Sequence, residues 1–327
     1  MRHPLHRRRF CALALAAPAL ASPWARAAAW PTQPIRIVVP FPSGGSSDTV
    51  LRIVMDKLSP ALGVPIILDN KPGASTQLGT DIVARATPDG QTLLQGSSTA
   101  FTILPHLRNK LPFDPQKDFA PIGGIAEYIG VAAVRKDLQV KTLAEFVALA
   151  RQNPGKFSYG SPGVGTIGHI QGEILQRATG IQLLHVPFKG SADAVTALVG
   201  GQIDFLIDGA ITPFVKNSRV QGLFTFSDKR RAEVPELPPL AELGFAVERP
   251  TGPTWALFAP AKTPPAVLAQ LSQALEKVMA DAQVREKLNA SGVTPYWLPP
   301  AELAKAFEAD RRFFGKLLPA IGVKPED

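Results

Sequence analysis

Cysteine is nearly missing from this sequence. The 327-residue chain has one, Cys11, inside an N-terminal stretch that reads as an export leader. Beyond that stretch the sequence offers no disulfide, no thiolate nucleophile and no cysteine–metal site. Histidine is scarce too, at five residues, and His3 and His6 fall in the same stretch. We therefore expect no metal centre, and no cofactor motif is present. The apolar run Phe10–Ala21 is too short and too rich in alanine for a good membrane span. Disorder is excluded by composition, since 45% of residues are apolar and 19% charged.

Proline is what the chain has in excess. It has 32 prolines, about twice the usual ~5% share, which suggests many short, well-defined connections. Its N-terminus has the form of an export signal. Arg2, Arg7, Arg8 and Arg9 are basic, an apolar run follows, and Ala25-Arg26-Ala27 is a small-x-small cleavage site. Arg7-Arg8-Arg9-Phe10 loosely resembles a twin-arginine signal, but His6 stands where Ser or Thr is usual, so the Sec and twin-arginine routes both stay open. Cleavage after Ala27 removes five arginines and no acid, taking the net charge from +8 to 8 − 5 = +3. A nucleic-acid reading loses its main support. A soluble, exported, monomeric protein is expected, periplasmic where the host has two membranes.

The stretch that organises the rest is Pro40–Asp48, PFPSGGSSD. The β-branched run Ile35–Val39 precedes it and reads as a strand. An amphipathic stretch follows it, with Ser46 or Ser47 as the expected helix cap. A strand, a Gly/Ser loop and a helix start together make an anion cradle, because loop N–H groups and unpaired first-turn N–H groups converge on one negative group.

The layout then recurs. Pro65–Asp69 reads as a strand before the loop Asn70–Thr76 and a helix over Gln77–Thr87, and Thr92–Gly96 is a strand before Ser97 and Ser98. Gly123-Gly124 is expected to break the chain. A second series follows, with strands at Val131–Val134, Phe157–Gly160, Leu183–Val186 and Ile203–Ile207. Thr142-Leu-Ala-Glu145 is a capping box. The loops SPGVGT at Ser161–Thr166 and PFKGS at Pro187–Ser191 each precede a helix, and Asp208 follows the last strand. Strands at Leu223–Phe226 and Trp255–Ala259 come next. Two long apolar stripes of helical period end the chain, Val267–Met279 and Leu303–Leu318. Alternating strands and helices imply parallel sheets, with ligands at the carboxyl ends of the strands. Two such series imply two lobes across a cleft, most economically a solute receptor.

Six stretches carry a family resemblance. They are WPTQPIRIVVPFPSGGSSD at Trp30–Asp48, NKPGA at Asn70–Ala74 with PDGQTLL at Pro88–Leu94, YGSPGVGTIGH at Tyr159–His169, HVPFKGSADAVTALVGGQIDFLID at His185–Asp208, and LFAPAKTP at Leu257–Pro264. Collinear over nearly the whole chain, they resemble the solute-binding proteins of tripartite tricarboxylate transporters, also called Bug receptors. The resemblance implies a two-lobe periplasmic-binding-protein (Venus flytrap) fold, each lobe a mostly parallel sheet flanked by helices. The expected limits are 1–27 for the leader, 28–129 for lobe 1, 130–250 for lobe 2, and 251–327 for a segment returning to lobe 1. It also implies a small organic carboxylate held by backbone N–H groups and small hydroxyls, membrane transporter subunits as partners, and no catalysis or cofactor. There are departures. The loop after Asn70 usually reads Gly-Ala-Gly-Gly, whereas here it is Gly73-Ala74-Ser75-Thr76. Phe188 stands where a Tyr is usual.

The expected contacts follow from the loops and the resemblance together. Ser43, Gly44, Gly45 and Ser46 offer N–H groups to one carboxylate. Ser75, Thr76, Ser97 and Ser98 come from the neighbouring loops, and Ser161, Gly165 and Thr166 from a facing cradle. His169, Lys189 and Asp208 are the ionisable candidates, and Phe41 and Phe188 are the expected walls. Three or four charge-assisted hydrogen bonds of roughly 1.5–3 kcal/mol each would reach micromolar affinity. Di- and tricarboxylates, aromatic acids and acidic amino acids all stay on the ligand list. Two other functions compete. A Ser161/His169 hydrolase lacks the Gly-x-Ser-x-Gly elbow, and a sensing subunit for a signalling kinase would have the same sequence.

Overall fold

The computed structural model describes residues 30–245 and 250–325. The leader expected over 1–27 lies outside the described residues.

Strand β1 (Ile35–Val39) is buried except at Arg36, as a strand covered on both faces should be. It leads into α1 (Ser46–Leu62), which closes on Gly63 at φ +73°, where the Gly63 N–H caps Ser59 and Pro60. The helix is capped at its start by Gly45, without a side-chain bond. Ser46 and Ser47 are therefore its first residues rather than its cap. Next come β2 (Ile66–Asn70), α2 (Gln77–Ala84) and β3 (Thr92–Ser97). β1 pairs in parallel with both β2 and β3. A π-turn at Thr99–Ile103 and the single turn α3 (Leu104–Leu107) then lead to β4 (Phe119–Tyr128).

Gly123 and Gly124 lie inside β4 rather than breaking the chain. A Cβ on Gly123 would fall 2.2 Å from the Trp297 ring, and one on Gly124 would fall 2.8 Å from the Tyr296 carbonyl. The two glycines let the 296–298 segment press onto the strand, with the Gly124 N–H donating to Leu298 O at 2.9 Å.

The chain crosses at Ile129-Gly130 into a second sheet. Its elements are β5 (Val131–Arg135), α4 (Leu143–Gln152), β6 (Ser158–Ser161), α5 (Ile167–Thr179), β7 (Leu184–Pro187), α6 (Ser191–Val199), β8 (Phe205–Ile207), α7 (Thr212–Lys216) and β9 (Val220–Thr225). The capping box forms on α4. Thr142 Oγ1 accepts from the Glu145 N–H, while Glu145 reaches back to the Lys141 N–H, one residue before the cap. The chain then returns to the first sheet through β10 (Trp255–Pro260), α8 (Pro265–Ala280), α9 (Ala282–Ala290), β11 (Val293–Pro295) and α10 (Pro300–Ala320). α9 and β11 have no counterpart in the sequence reading. Both are short, and α9 buries only Val284 and Leu288.

The strand orders are β11-β4-β10-β3-β1-β2 and β7-β6-β8-β5-β9. Each sheet is mixed. Parallel pairing joins β1, β2 and β3, and likewise β6, β7 and β8. β10, β4 and β11 run antiparallel in the first sheet, as β5 and β9 do in the second. Within the two-lobe fold, the expected parallel pairing holds for the strand–loop–helix series alone. β10, β11 and β5 run against the parallel sets, whereas β4 and β9, each antiparallel to a reversed neighbour, run with them. Phe101, Phe119, Phe258 and Phe307 centre the first core, with Phe101 and Phe258 stacked at 4.2 Å. Phe146 on Phe205, at 5.0 Å, centres one core of the second sheet. Asp310 interrupts the apolar stripe of α10 and is satisfied by the Thr251 and Gly252 N–H groups.

Candidate functional site

Three loops meet at one cavity. Pro42–Gly45 precedes α1, Pro162–Thr166 precedes α5, and Gly190 precedes α6. Loops of the two sheets touch here, since a Cβ on Gly45 would lie 3.8 Å from Ser191 Cβ and one on Gly190 would lie 3.0 Å from the Pro42 ring. The cavity, about 70 Å³, is lined at these starts by Gly45, Ser46 and Ser47, by Thr166, Ile167 and Gly168, and by Gly190, Ser191 and Ala192. Each helix leaves its first N–H groups without intrahelical partners, and the first turn-closing bonds begin only at Thr49, Ile170 and Ala194. Three positive helix ends, each equivalent to roughly half a charge, therefore face one space. Among the described residues the lining includes no Lys, Arg or His.

The first loop is held from behind. Asp48 Oδ2 accepts from the Gly44 N–H at 3.0 Å, Asp48 is paired with Arg52, and Asn70 Nδ2 donates both to Phe41 O and to Asp48. Burial would raise the Asp48 carboxyl, but Arg52, the Gly44 N–H and Asn70 together hold it below its ordinary value. Ser47 Oγ donates to the buried Gln95 side chain, whose Nε2 returns a bond to Ser47 O. Ser46 Oγ is buried and has no partner.

Among the expected contacts, Phe41, Ser43, Gly45, Ser46, Ser97 and Thr166 line the cavity. Gly44 does not, and its N–H is committed to Asp48. Gly165, at φ +74°, donates its N–H to His169 Nδ1 at 3.1 Å. That bond holds the His169 ring below the loop and outside the cavity. The ring stacks on His185 at 4.2 Å, and His185 stacks on Tyr159 at 4.7 Å. Burial, with His185 alongside, takes the His169 pKa down to about 3, and burial takes that of His185 down to about 4. Ser161 is fully buried, and its hydroxyl lies 2.7 Å from His185 Nε2 rather than against His169. The Ser161/His169 pairing required for a hydrolase is therefore not the one formed.

The remaining candidates also lie away from the cavity lining. Phe188 packs against the second-sheet core beside Gly160, so the aromatic walls are Phe41, Tyr128 and Trp255 instead. Lys189 is exposed. Asp208 is fully buried and caps the turn after β8 through Ala210 N–H at 2.8 Å. Burial pushes its pKa up to about 6, against the Ala210 N–H and the Ser191 and Tyr128 hydroxyls, which pull it down. Ser98 is held by its backbone, its N–H donating to Thr254 O. Ser75 and Thr76 belong to a run with positive φ, in which Ala74 is at +45°, Ser75 at +51° and Thr76 at +84°. Ser75 Oγ would lie 3.8 Å from a Cβ on Gly163, in the facing loop.

The cavity lining adds Ser47, Tyr128, Gly168, Ser191, Thr254 and Trp255, which sequence reasoning missed. The PFKGS loop carried the signal for Ser191, since it repeats the strand–loop–helix form of the other two cradles. Trp255 and Tyr128 gave no signal, because only strand pairing brings their rings to this point, edge to face at 6.0 Å.

The model of the tripartite tricarboxylate transporter family receptor matches residues 50–323. A UPF0065 protein of Cupriavidus necator is 36% identical over 282 residues, 86% of this chain and 85% of that one. The periplasmic binding protein BugD has a solved structure that superposes with a TM-score of 0.86 at 29% identity, covering 91% of this chain and 100% of BugD. An R. palustris protein solved with adipate gives 0.87 at 28% identity, with 91% and 100% covered.

Proposed function

The chain belongs to the tripartite tricarboxylate transporter family of receptors, and on that footing we propose that it captures a small organic carboxylate between its two lobes. Its lobes are 28–129 with 251–327, and 130–250. The receptor is exported to the periplasm behind a leader over 1–27 and presents its ligand to membrane subunits of a tripartite tricarboxylate-type transporter without transforming it. One observation carries the reading, the convergence of three helix starts on a cavity whose lining, among the described residues, has no cationic side chain. Backbone N–H groups supply the positive potential, and an anion is the ligand that this potential selects. The adipate held by the R. palustris protein supports the class.

The local chemistry explains how capture works. Gly45, Ser46 and Ser47 come from one sheet, and Gly168, Ser191 and Ala192 from the other. A carboxylate bound by both sets joins the lobes, so its binding energy favours the closed form over any open one. The bound form is therefore the one that a transporter would distinguish.

The test is a thermal-shift screen of residues 28–327 against mono-, di- and tricarboxylates, aromatic acids and acidic amino acids. At about 100 times its dissociation constant a ligand adds roughly 2.7 kcal/mol, which is a clear rise in melting temperature. No shift with any acid would overturn the reading.

A further inference from the structure

Two donors at the cavity are unused. Ser46 Oγ and Trp255 Nε1 both lack a hydrogen-bond partner, and their residues are 6% and 4% exposed. Both residues line the cavity. A buried donor left unpaired costs on the order of 1–3 kcal/mol, and the indole N–H can only donate. Thr254 Oγ1 accepts from the Tyr128 N–H. Negative charge is also near. Asp193 lines the cavity, and buried Asp208 lies behind Ser191.

We infer that Trp255 Nε1 and Ser46 Oγ are ligand donors, and that the ligand is a mono- or dicarboxylate carrying a second acceptor group for Trp255 rather than a tricarboxylate. The inference rests on the receptor reading and narrows it. Three helix ends of roughly +0.5 each supply about +1.5. Asp193 and the buried Asp208 offset part of that, and among the described residues no Lys or Arg in the lining adds to it. At most one carboxylate is compensated there, at the helix starts. A second acceptor, whether hydroxyl, carbonyl or carboxylate, is met by neutral donors. A third charge would find no side-chain cation among the described lining residues. The body between them lies against Phe41, Pro42, Pro162 and Ile167 and is apolar.

Calorimetric titration of residues 28–327 with hexanoate, 6-hydroxyhexanoate, adipate and tricarballylate tests this. The wild type should bind adipate and 6-hydroxyhexanoate about tenfold more tightly than hexanoate or tricarballylate. Trp255→Phe should weaken the first two about tenfold and leave hexanoate unchanged. Ser46→Ala, a small change at a helix start, should weaken binding severalfold without lowering the melting temperature of the free protein, since it removes a hydroxyl that has no partner. Equal weakening of all the acids by Trp255→Phe, or tricarballylate binding as tightly as adipate, would overturn the inference and leave the receptor reading standing. If none of the acids binds the wild type, the inference falls, and the wider screen decides the receptor reading.

Discussion

The run Ala74-Ser75-Thr76 gives the sharpest test of the physical reasoning. All three residues have positive φ, and none is glycine. An L-residue in the left-handed region costs roughly 1–2 kcal/mol, and a β-branched one such as Thr76 is the worst placed. Glycine relieves that cost but gives back about 0.5–1 kcal/mol through the freedom it gains in the unfolded chain. Ser75→Gly should therefore gain about 0.5–1 kcal/mol. At Thr76 the side chain is 2% exposed and its hydroxyl has no partner. Losing the hydroxyl helps by on the order of 1 kcal/mol, while losing the buried methyl costs about 0.8 kcal/mol, so the net gain is again about 0.5–1 kcal/mol. The two sites are neighbours and will not add fully. The double variant should gain about 1–2 kcal/mol, read as a higher urea midpoint at unchanged slope and a melting temperature a few degrees higher. Ser75→Val, which puts a branched side chain at the same φ, should lose stability. A double glycine variant less stable than the wild type would refute the strain account, because other contacts of Ser75 and Thr76 would then outweigh their backbone cost.

Three further predictions concern other parts of the fold. Gly123→Ala sets a methyl 2.2 Å from the Trp297 ring, inside a strand that cannot yield, and should cost roughly 1–3 kcal/mol by overpacking, seen as a lower denaturation midpoint. Asp48→Ala strips the Gly44 N–H, Arg52 and Asn70 of a shared partner. It should cost about 1–3 kcal/mol and weaken carboxylate binding through the loosened Phe41–Gly45 loop, both measurable in one calorimetric series. His169 and His185 must stay neutral to fold, with pKa values lowered to about 3 and about 4. An unfolded histidine binds its proton near 6.5, so the unfolded state gains protons first and stability falls as pH drops from about 6.5 toward 4. Asp208, raised to about 6, takes up its proton in the folded state first and offsets part of that loss. Melting curves between pH 7.5 and 4.5 should show a net fall of about 3 kcal/mol, reduced in His185→Gln.

Local chemistry was legible wherever a local rule governs. Ile35–Val39 is a strand because its β-branched side chains are buried against helices, and Thr142 caps α4 because four consecutive residues suffice to build a capping box. The cradles at Ser43–Ser46 and Ser161–Thr166 were visible for the same reason, since a strand, a small-residue loop and a helix start are consecutive in the chain. The reading failed where a partner came from far away. Gly123-Gly124 looks like a break until Trp297, more than 170 residues on, is seen resting on it. His169 looks like a cleft residue until the Gly165 N–H and the His185 ring take up its faces.

The sequence by itself determined the alternation of strands and helices, the small-residue loops, and so the chemical class of the site. These depend on neighbours within a few residues, whose preferences act before any tertiary contact forms. Tertiary structure alone decided which of those loops share a cavity. It added the start of α6 and the ring of Trp255, and it turned His169, Asp208 and Phe188 inward. That choice depends on strand order and on the packing of the two sheets, which is a sum over contacts between residues too distant along the chain for any local pattern to record.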